Sequence, residues 1–305
     1  AQHLRVGVRD ILAKGTIDET TRALADVAEV CLKQIPSREF QRLEERYGEP
    51  TFRGSDGKQQ KCELIVLALG KLGGREPNYH SDLDLIFLYD GEGQTLPRRT
   101  DRKSERSTTN QHFFSELGQR LLKVVDRLGP YGRLYEVDTR LRLTGKSGAL
   151  AVSIDEFAHY FAEEKVPLSE RQALCKARPI CGSEQGCQRI MEVIGHTLRN
   201  PPWKDAYIHE IAETRHRLEA SASPRNLKRA PGGTVDIEFI VQMLQLRHGV
   251  ESHKILRPGT LPALCSLNEE GFLDEDTFAT LSKAYRYLRG VEARLRLMNT
   301  AARHD

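Results

Sequence analysis

The sequence predicts an α+β fold with a helical N-terminal segment over 1–50, an α/β core over 51–153 and a helical domain over 154–305. Three observations carry this expectation. The run Leu64-Ile65-Val66-Leu67-Ala68-Leu69 is short, apolar and rich in strand formers, the pattern of a buried strand. A second such run, Leu85-Ile86-Phe87-Leu88-Tyr89, follows a glycine-rich turn at Gly70-Lys71-Leu72-Gly73-Gly74-Arg75. From about residue 183 onward the apolar spacing is helical, with candidate helices over 183–198, 203–221, 234–248, 260–270 and 275–299.

Taken in order, Val6 to Leu12 reads as a short helix, and Asp18 is placed to cap a long amphipathic helix carrying Leu24, Val27, Ala28, Val30, Cys31 and Leu32. Residues 51–61 read as a polar, turn-rich connection. After the second strand, residues 91–109 form a long polar segment with Arg98, Arg99, Arg102, Lys103 and Arg106, either a solvated surface or a flap over a substrate. Phe113, Phe114, Leu117, Leu121, Val124 and Val125 make the apolar stripe of a helix from Asn110 to Leu128, ended by Gly129-Pro130. The run Leu134 to Arg142 alternates as a strand, so Asp138, Arg140 and Arg142 share a face. Ala149 to Ser153 reads as a short strand and Ser153 as the cap of the next helix. Thr234, after Pro231-Gly232-Gly233, is placed to cap another helix, with Lys228 and Arg229 beside it as a candidate anion site.

Composition bounds the function. Hydrophobic residues make up 39% and charged residues 29% of the 305, an ordinary globular balance. A net charge of +3 is too slight to argue for nucleic acid as a partner. No apolar run approaches the roughly 20 residues that span a bilayer, and no secretory signal opens the chain. The six cysteines include no C-x-x-C pair, which points to free thiols in the cytoplasm rather than to zinc. Both ends lack stop signals, so the chain is expected to be part of a longer protein.

The chemistry concentrates at Asp82-Leu83-Asp84. Residues two apart in a strand share a face, so both carboxylates project together from the start of an apolar strand. Their repulsion demands a proton or a cation between them, and an all-oxygen set suits a hard divalent ion such as Mg²⁺. An isolated Asp-x-Asp is commonly no more than a polar strand edge. Here it follows a glycine-rich turn carrying Lys71 and Arg75 between two apolar strands.

That arrangement resembles the nucleotidyltransferase signature of the DNA polymerase β superfamily, with Gly70-Lys71 ahead of Asp82-Leu83-Asp84. The fuller string, from Gly70-Lys71-Leu72-Gly73-Gly74-Arg75-Glu76 to Ser81-Asp82-Leu83-Asp84-Leu85-Ile86-Phe87-Leu88-Tyr89-Asp90, is similar to the bacterial glutamine synthetase adenylyltransferases. The resemblance extends to Arg5-Val6-Gly7-Val8-Arg9-Asp10, to Val137-Asp138-Thr139-Arg140-Leu141-Arg142, to the stretch around Arg171, Lys176 and Arg178, and to Lys228 through Phe239. Departures are Leu143 for the family's usual proline, Ser169 for its tryptophan and Ala230 for one glycine.

The resemblance implies a polymerase β-like nucleotidyltransferase core beside a helical-bundle domain. It implies Mg²⁺ held by Asp82, Asp84 and Asp138 as catalytic carboxylates, and ATP steadied by the backbone amides of Gly70 and Lys71 with Arg140 and Arg142. It implies transfer of AMP from ATP to a tyrosine of glutamine synthetase, a role in nitrogen metabolism, and a possible PII-type nitrogen-signalling partner. Such enzymes carry two modules, one adding AMP and one removing it by phosphorolysis. Leu134 to Asp138 and Val235 to Phe239 resemble the adding module, while a removing module or a non-catalytic docking module are the alternatives. Arg171, Lys176 and Arg178 are candidate phosphate ligands or surface charge, and Asp236 and Glu238 line the cleft or favour a helix dipole.

Overall fold

The computed structural model describes residues 2–54, 56–97, 107–128, 132–139, 148–163, 165–223 and 226–298. Its elements run α1 Gln2–Ile11, α2 Ile17–Tyr47, β1 Glu49–Arg53, β2 Gln59–Lys61, β3 Leu64–Ala68, α3 Gly70–Gly73, β4 Leu83–Tyr89, β5 Gly93–Leu96 and α4 Asn110–Asp126. They continue with β6 Val137–Asp138, β7 Ala151–Ser153, α5 Ile154–Ala162, α6 Leu168–Leu174, β8 Arg178–Cys181, α7 Glu184–Arg199, α8 Ala206–Ala220, α9 Thr234–His248, α10 Thr260–Glu269 and α11 Glu275–Leu297. The fold is mixed α+β, and no described helix is long and apolar enough to cross a membrane.

The two apolar runs form the centre of a five-stranded sheet in the order β6-β4-β3-β8, with β7 also paired to β4. β3 and β4 are antiparallel, Val66 facing Phe87, whereas β6 and β7 run parallel to β4. Strand alternation divides the side chains cleanly between two layers. Leu64, Val66, Leu85, Phe87 and Tyr89 pack with Leu32 and Leu43 of α2 and with Phe113, Phe114, Leu117 and Leu121 of α4. Ile65, Leu67, Ile86 and Leu88 pack with Phe157 of α5, Leu174 of α6 and Ile190 and Ile194 of α7. Burial on both faces explains why both strands are nearly continuous in apolar residues. A further core, built on Ile237, Val241, Leu264 and Tyr285, joins α9, α10 and α11.

Several expectations are corrected. Residues 51–61 are not a connection: β1 pairs with both β2 and β5 in a separate antiparallel sheet. The strands hide in sequence because Gln59, Gln60 and Lys61 are exposed and only the turn around Gly57, at φ +73°, carries a strong signal. The cap of α2 is Thr16, not Asp18, because Glu19 closes a reciprocal capping box with it. Thr234 caps nothing: Gly233 holds the N-cap position of α9. Arg178–Cys181, from the region expected to be helical, returns as the edge strand β8 against β3. α1 lies against α2, and Tyr79 donates from its hydroxyl to Asp10. Val124 of α4 is exposed although the stripe beside it is buried. Residues 98–106, 129–131 and 140–147 lie outside the described residues, so the basic segment, the Gly129-Pro130 stop and the far half of the strand through Arg142 do too. Ser153 does cap α5, accepting from the Glu156 amide, and all six cysteines are free.

Phe87 is 1% exposed at the centre of the sheet between α4 and β3. Phe87→Ala is expected to cost about 3–5 kcal/mol of unfolding free energy, read as a lowered urea midpoint with unchanged m-value.

Candidate active site

β4 begins at Leu83, after the segment 76–82 that follows the glycine-rich turn, and its register decides what meets there. Leu69 N donates to Asp84 O at 2.9 Å, closing the turn onto the strand. On the other side of β4, the parallel pairing with β6 sets Asp84 directly opposite Asp138. Leu83 N donates to Glu136 O at 2.9 Å, which holds that register. Asp82, immediately before β4, is exposed, while Asp84 and Asp138 are half-buried. One carboxylate oxygen from each of the three lies within 4.8 Å of the others. Like charges placed side by side on adjoining strands destabilise a sheet unless they are neutralised. An all-carboxylate donor set of this size suits a hard, oxygen-seeking divalent cation.

Gly70 supplies the remaining wall. Its backbone lies in the left-handed region at φ +51°, and a Cβ built there would fall on the Asp84 carboxylate. The one-turn helix α3 is thus placed directly against Asp84. The Lys71 side chain is committed elsewhere: its ammonium is 2.9 Å from Glu292 of α11 and largely buried. Burial, with Arg289 adding to it, pulls the Lys71 pKa down to about 7. Arg140 and Arg142 lie outside the described residues.

The structure also reveals a buried charge network that the sequence reading did not assemble. Glu76 accepts from Lys176 Nζ at 3.0 Å, from the Tyr285 hydroxyl at 3.0 Å and from Thr260 Oγ1 at 3.1 Å. Lys176 also meets Glu238 at 3.2 Å. Arg289 donates to Glu76 O and pairs with Glu292, and Arg296 reaches Glu292 at 3.3 Å and Tyr79 O at 2.8 Å. Burial alone would raise the Glu292 carboxyl, but Lys71, Arg289 and Arg296 outweigh it and hold the group far below the ordinary range. The signal in sequence was Tyr285, Arg289, Glu292 and Arg296 recurring at helical spacing in a stripe otherwise read as core.

The other candidate ligands have partners within the fold. Arg171 is buried and donates to Thr197 O and Pro201 O. Arg178 donates to Gly73 O and Leu72 O and pairs with Glu29. Asp236 pairs with Arg215 and accepts from Gly232 N. Two concavities of about 680 and 710 Å³ lie elsewhere, the first walled by Glu63, Asp90 and Arg189 and the second by α1 and α2; neither includes a triad carboxylate.

Because the folded pKa of Glu292 is depressed, its ionisation stabilises the fold above the ordinary value of 4.5, and this contribution is lost as pH falls toward the folded value. The stability difference between wild type and Glu292→Gln, measured by urea denaturation, is therefore expected to be largest near neutrality and to narrow below about pH 4.5.

With this geometry in view, comparison with known proteins is specific. Residues 1–192 match the family model of glutamate-ammonia ligase adenylyltransferase, and residues 206–305 match that of GlnD PII-uridylyltransferase. A bifunctional glutamine synthetase adenylyltransferase/adenylyl-removing enzyme of Xanthomonas campestris pv. campestris is 32% identical over 100% of this chain and 32% of its own length. Enzymes of the same name are 32% identical in Thioalkalivibrio sulfidiphilus, over 99% of this chain and 30% of the relative, and 34% identical in Bradyrhizobium sp., over 96% and 28%. The chain spans about a third of the length of these curated relatives. On the match over residues 1–192, this chain belongs to the glutamate-ammonia ligase adenylyltransferase family of enzymes.

Proposed function

We propose that the chain is a single nucleotidyltransferase module that moves AMP from ATP to a tyrosine hydroxyl of glutamine synthetase. The observation that carries this reading is the convergence of Asp82, Asp84 and Asp138 within 4.8 Å beside the Gly70 turn. In the proposed division, 1–50 supports the core, 51–153 holds the polymerase β-like nucleotidyltransferase centre and 154–305 closes the other side. The edge strand β8 stitches the last of these to the sheet.

The three carboxylates would hold Mg²⁺, which when bound lowers the pKa of an attacking hydroxyl and neutralises a leaving pyrophosphate. The phenolic oxygen bonds to the α-phosphorus of ATP, the bond from that phosphorus to the β-phosphate oxygen breaks, and the phenolic proton leaves to solvent. Asp84, seated over Gly70, and Asp138, held opposite it by strand register, present their oxygens from fixed backbone. Preorganisation of this kind reduces the rearrangement needed during reaction. The backbone amides of Gly70 and Lys71, with Arg140 and Arg142, are the proposed triphosphate contacts. The name of the family model matched by residues 206–305 supports a PII-type signalling protein as regulator, and the absence of a spanning helix among the described residues accords with a cytoplasmic setting.

Purified glutamine synthetase tests this directly. With labelled ATP and Mg²⁺, label is expected on unmodified glutamine synthetase, and Asp82→Asn should abolish it while leaving the circular dichroism spectrum unchanged. Release of ADP from AMP-modified glutamine synthetase and phosphate would instead make this the removing module. Full activity in Asp82→Asn would sink the reading.

A further inference from the structure

Helix α3 is a single turn, too short to hold its own conformation by backbone hydrogen bonds. Its position must come from outside contacts, and these are concentrated on the segment that it opens. Lys71, next to Gly70, is held by Glu292 of α11. Arg75, at φ +57°, is held by Asp26 and Glu29 of α2. Glu76 is held by Lys176, by Thr260 at the start of α10 and by Tyr285 of α11, and its carbonyl by Arg289. Arg296 takes the carbonyl of Tyr79. The chain from Gly70 to Asp82 is therefore fixed largely by charged groups distant in sequence. These are Glu292, Arg289 and Arg296 of α11, Asp26 and Glu29 of α2, Lys176 just before β8, and Arg178 at its start, the last donating to Leu72 O and Gly73 O.

Gly70 is where this matters for the carboxylates. The turn approaches Asp84 so closely that no side chain fits between them, so displacement of the turn changes the space that the Asp84 carboxylate occupies. Lys71 is the nearest anchored side chain. A buried ion pair is poor evidence of a purely stabilising role, because apolar residues of similar volume serve stability as well or better.

We propose that the buried Lys71–Glu292 pair is a positioning device through which α11 fixes the Gly70 turn and thereby the seat of the Asp84 carboxylate. Neither side chain touches the reacting atoms; both act through Gly70. The inference rests on the reading of Asp82, Asp84 and Asp138 as a divalent-cation site.

The test uses Mn²⁺ binding, followed by electron paramagnetic resonance, together with amide hydrogen exchange of peptides covering 69–84. Lys71→Met suits it because Glu292 keeps Arg289 and Arg296 as partners, so no carboxylate is left uncompensated. It is expected to weaken Mn²⁺ binding about tenfold, the low end of the range for groups that orient a metal ligand, and to speed exchange across 69–84. Glu292→Gln should act in the same direction, and Lys71→Arg, which keeps the ion pair, should restore both readouts. Arg215→Met removes a buried pair between α8 and α9; it should lower the melting temperature without weakening Mn²⁺ binding. Wild-type Mn²⁺ affinity in both Lys71→Met and Glu292→Gln, or equal weakening by Arg215→Met, would overturn the positioning role. If the wild type shows no Mn²⁺ binding that Asp84→Asn removes, the cation site itself fails and the inference with it.

Discussion

The Asp84 carboxylate lies where it does because residue 70 has no side chain. Gly70 adopts a left-handed backbone at φ +51°, and its Cα faces the carboxylate at a separation that excludes a Cβ. Glycine adopts such backbone without the steric cost that a Cβ carries. The remainder of the sheet serves this contact. Antiparallel pairing of β3 with β4 brings Leu69 N to Asp84 O, and parallel pairing of β4 with β6 brings Asp138 opposite Asp84. Two helical layers bury both faces of the central strands, so register is strongly specified: a slip of one residue would exchange the two layers' side chains.

Around this centre the molecule places charge where composition gives no warning of it. Glu76, Lys176, Arg289 and Glu292 are all buried, and each is compensated by at least one opposite charge or hydrogen-bond donor. Burial of charge is costly unless paired, so these residues constrain one another. They join the turn after β3 to α10 and α11, more than 180 residues away in sequence. The carboxylate cluster and the helical half are thereby parts of one packed arrangement rather than neighbours across a linker.

The sequence showed the centre more plainly than its surroundings. β3, β4 and their alternation were legible because an apolar run with a glycine-rich break is a local signal, and α9 begins and ends where the pattern put it, at Thr234 and His248. Asp82, Asp84 and Asp138 were named together from motif resemblance, and strand pairing brings their oxygens together. What escaped depends on pairing between distant segments. Gln59-Gln60-Lys61 becomes a strand only because β1 lies beside it, and Arg178–Cys181 only because β3 offers an edge. Arg171, Lys176 and Arg178 have the composition of a phosphate site, yet their partners are carbonyls and carboxylates brought by folding. Capping misled at two places for local reasons: Glu19 selects Thr16 over Asp18, and Gly233 takes the position expected for Thr234.

The proposed chemistry requires that the three carboxylates bind a divalent cation. The most direct measurement is anomalous diffraction from a crystal equilibrated with Mn²⁺. It should show a peak bounded by Asp82, Asp84 and Asp138, with metal–oxygen distances of about 2.0–2.2 Å, as expected for a small octahedral cation. An empty triad at saturating Mn²⁺, or a peak only at another acidic cluster such as Glu63 and Asp90, would contradict it.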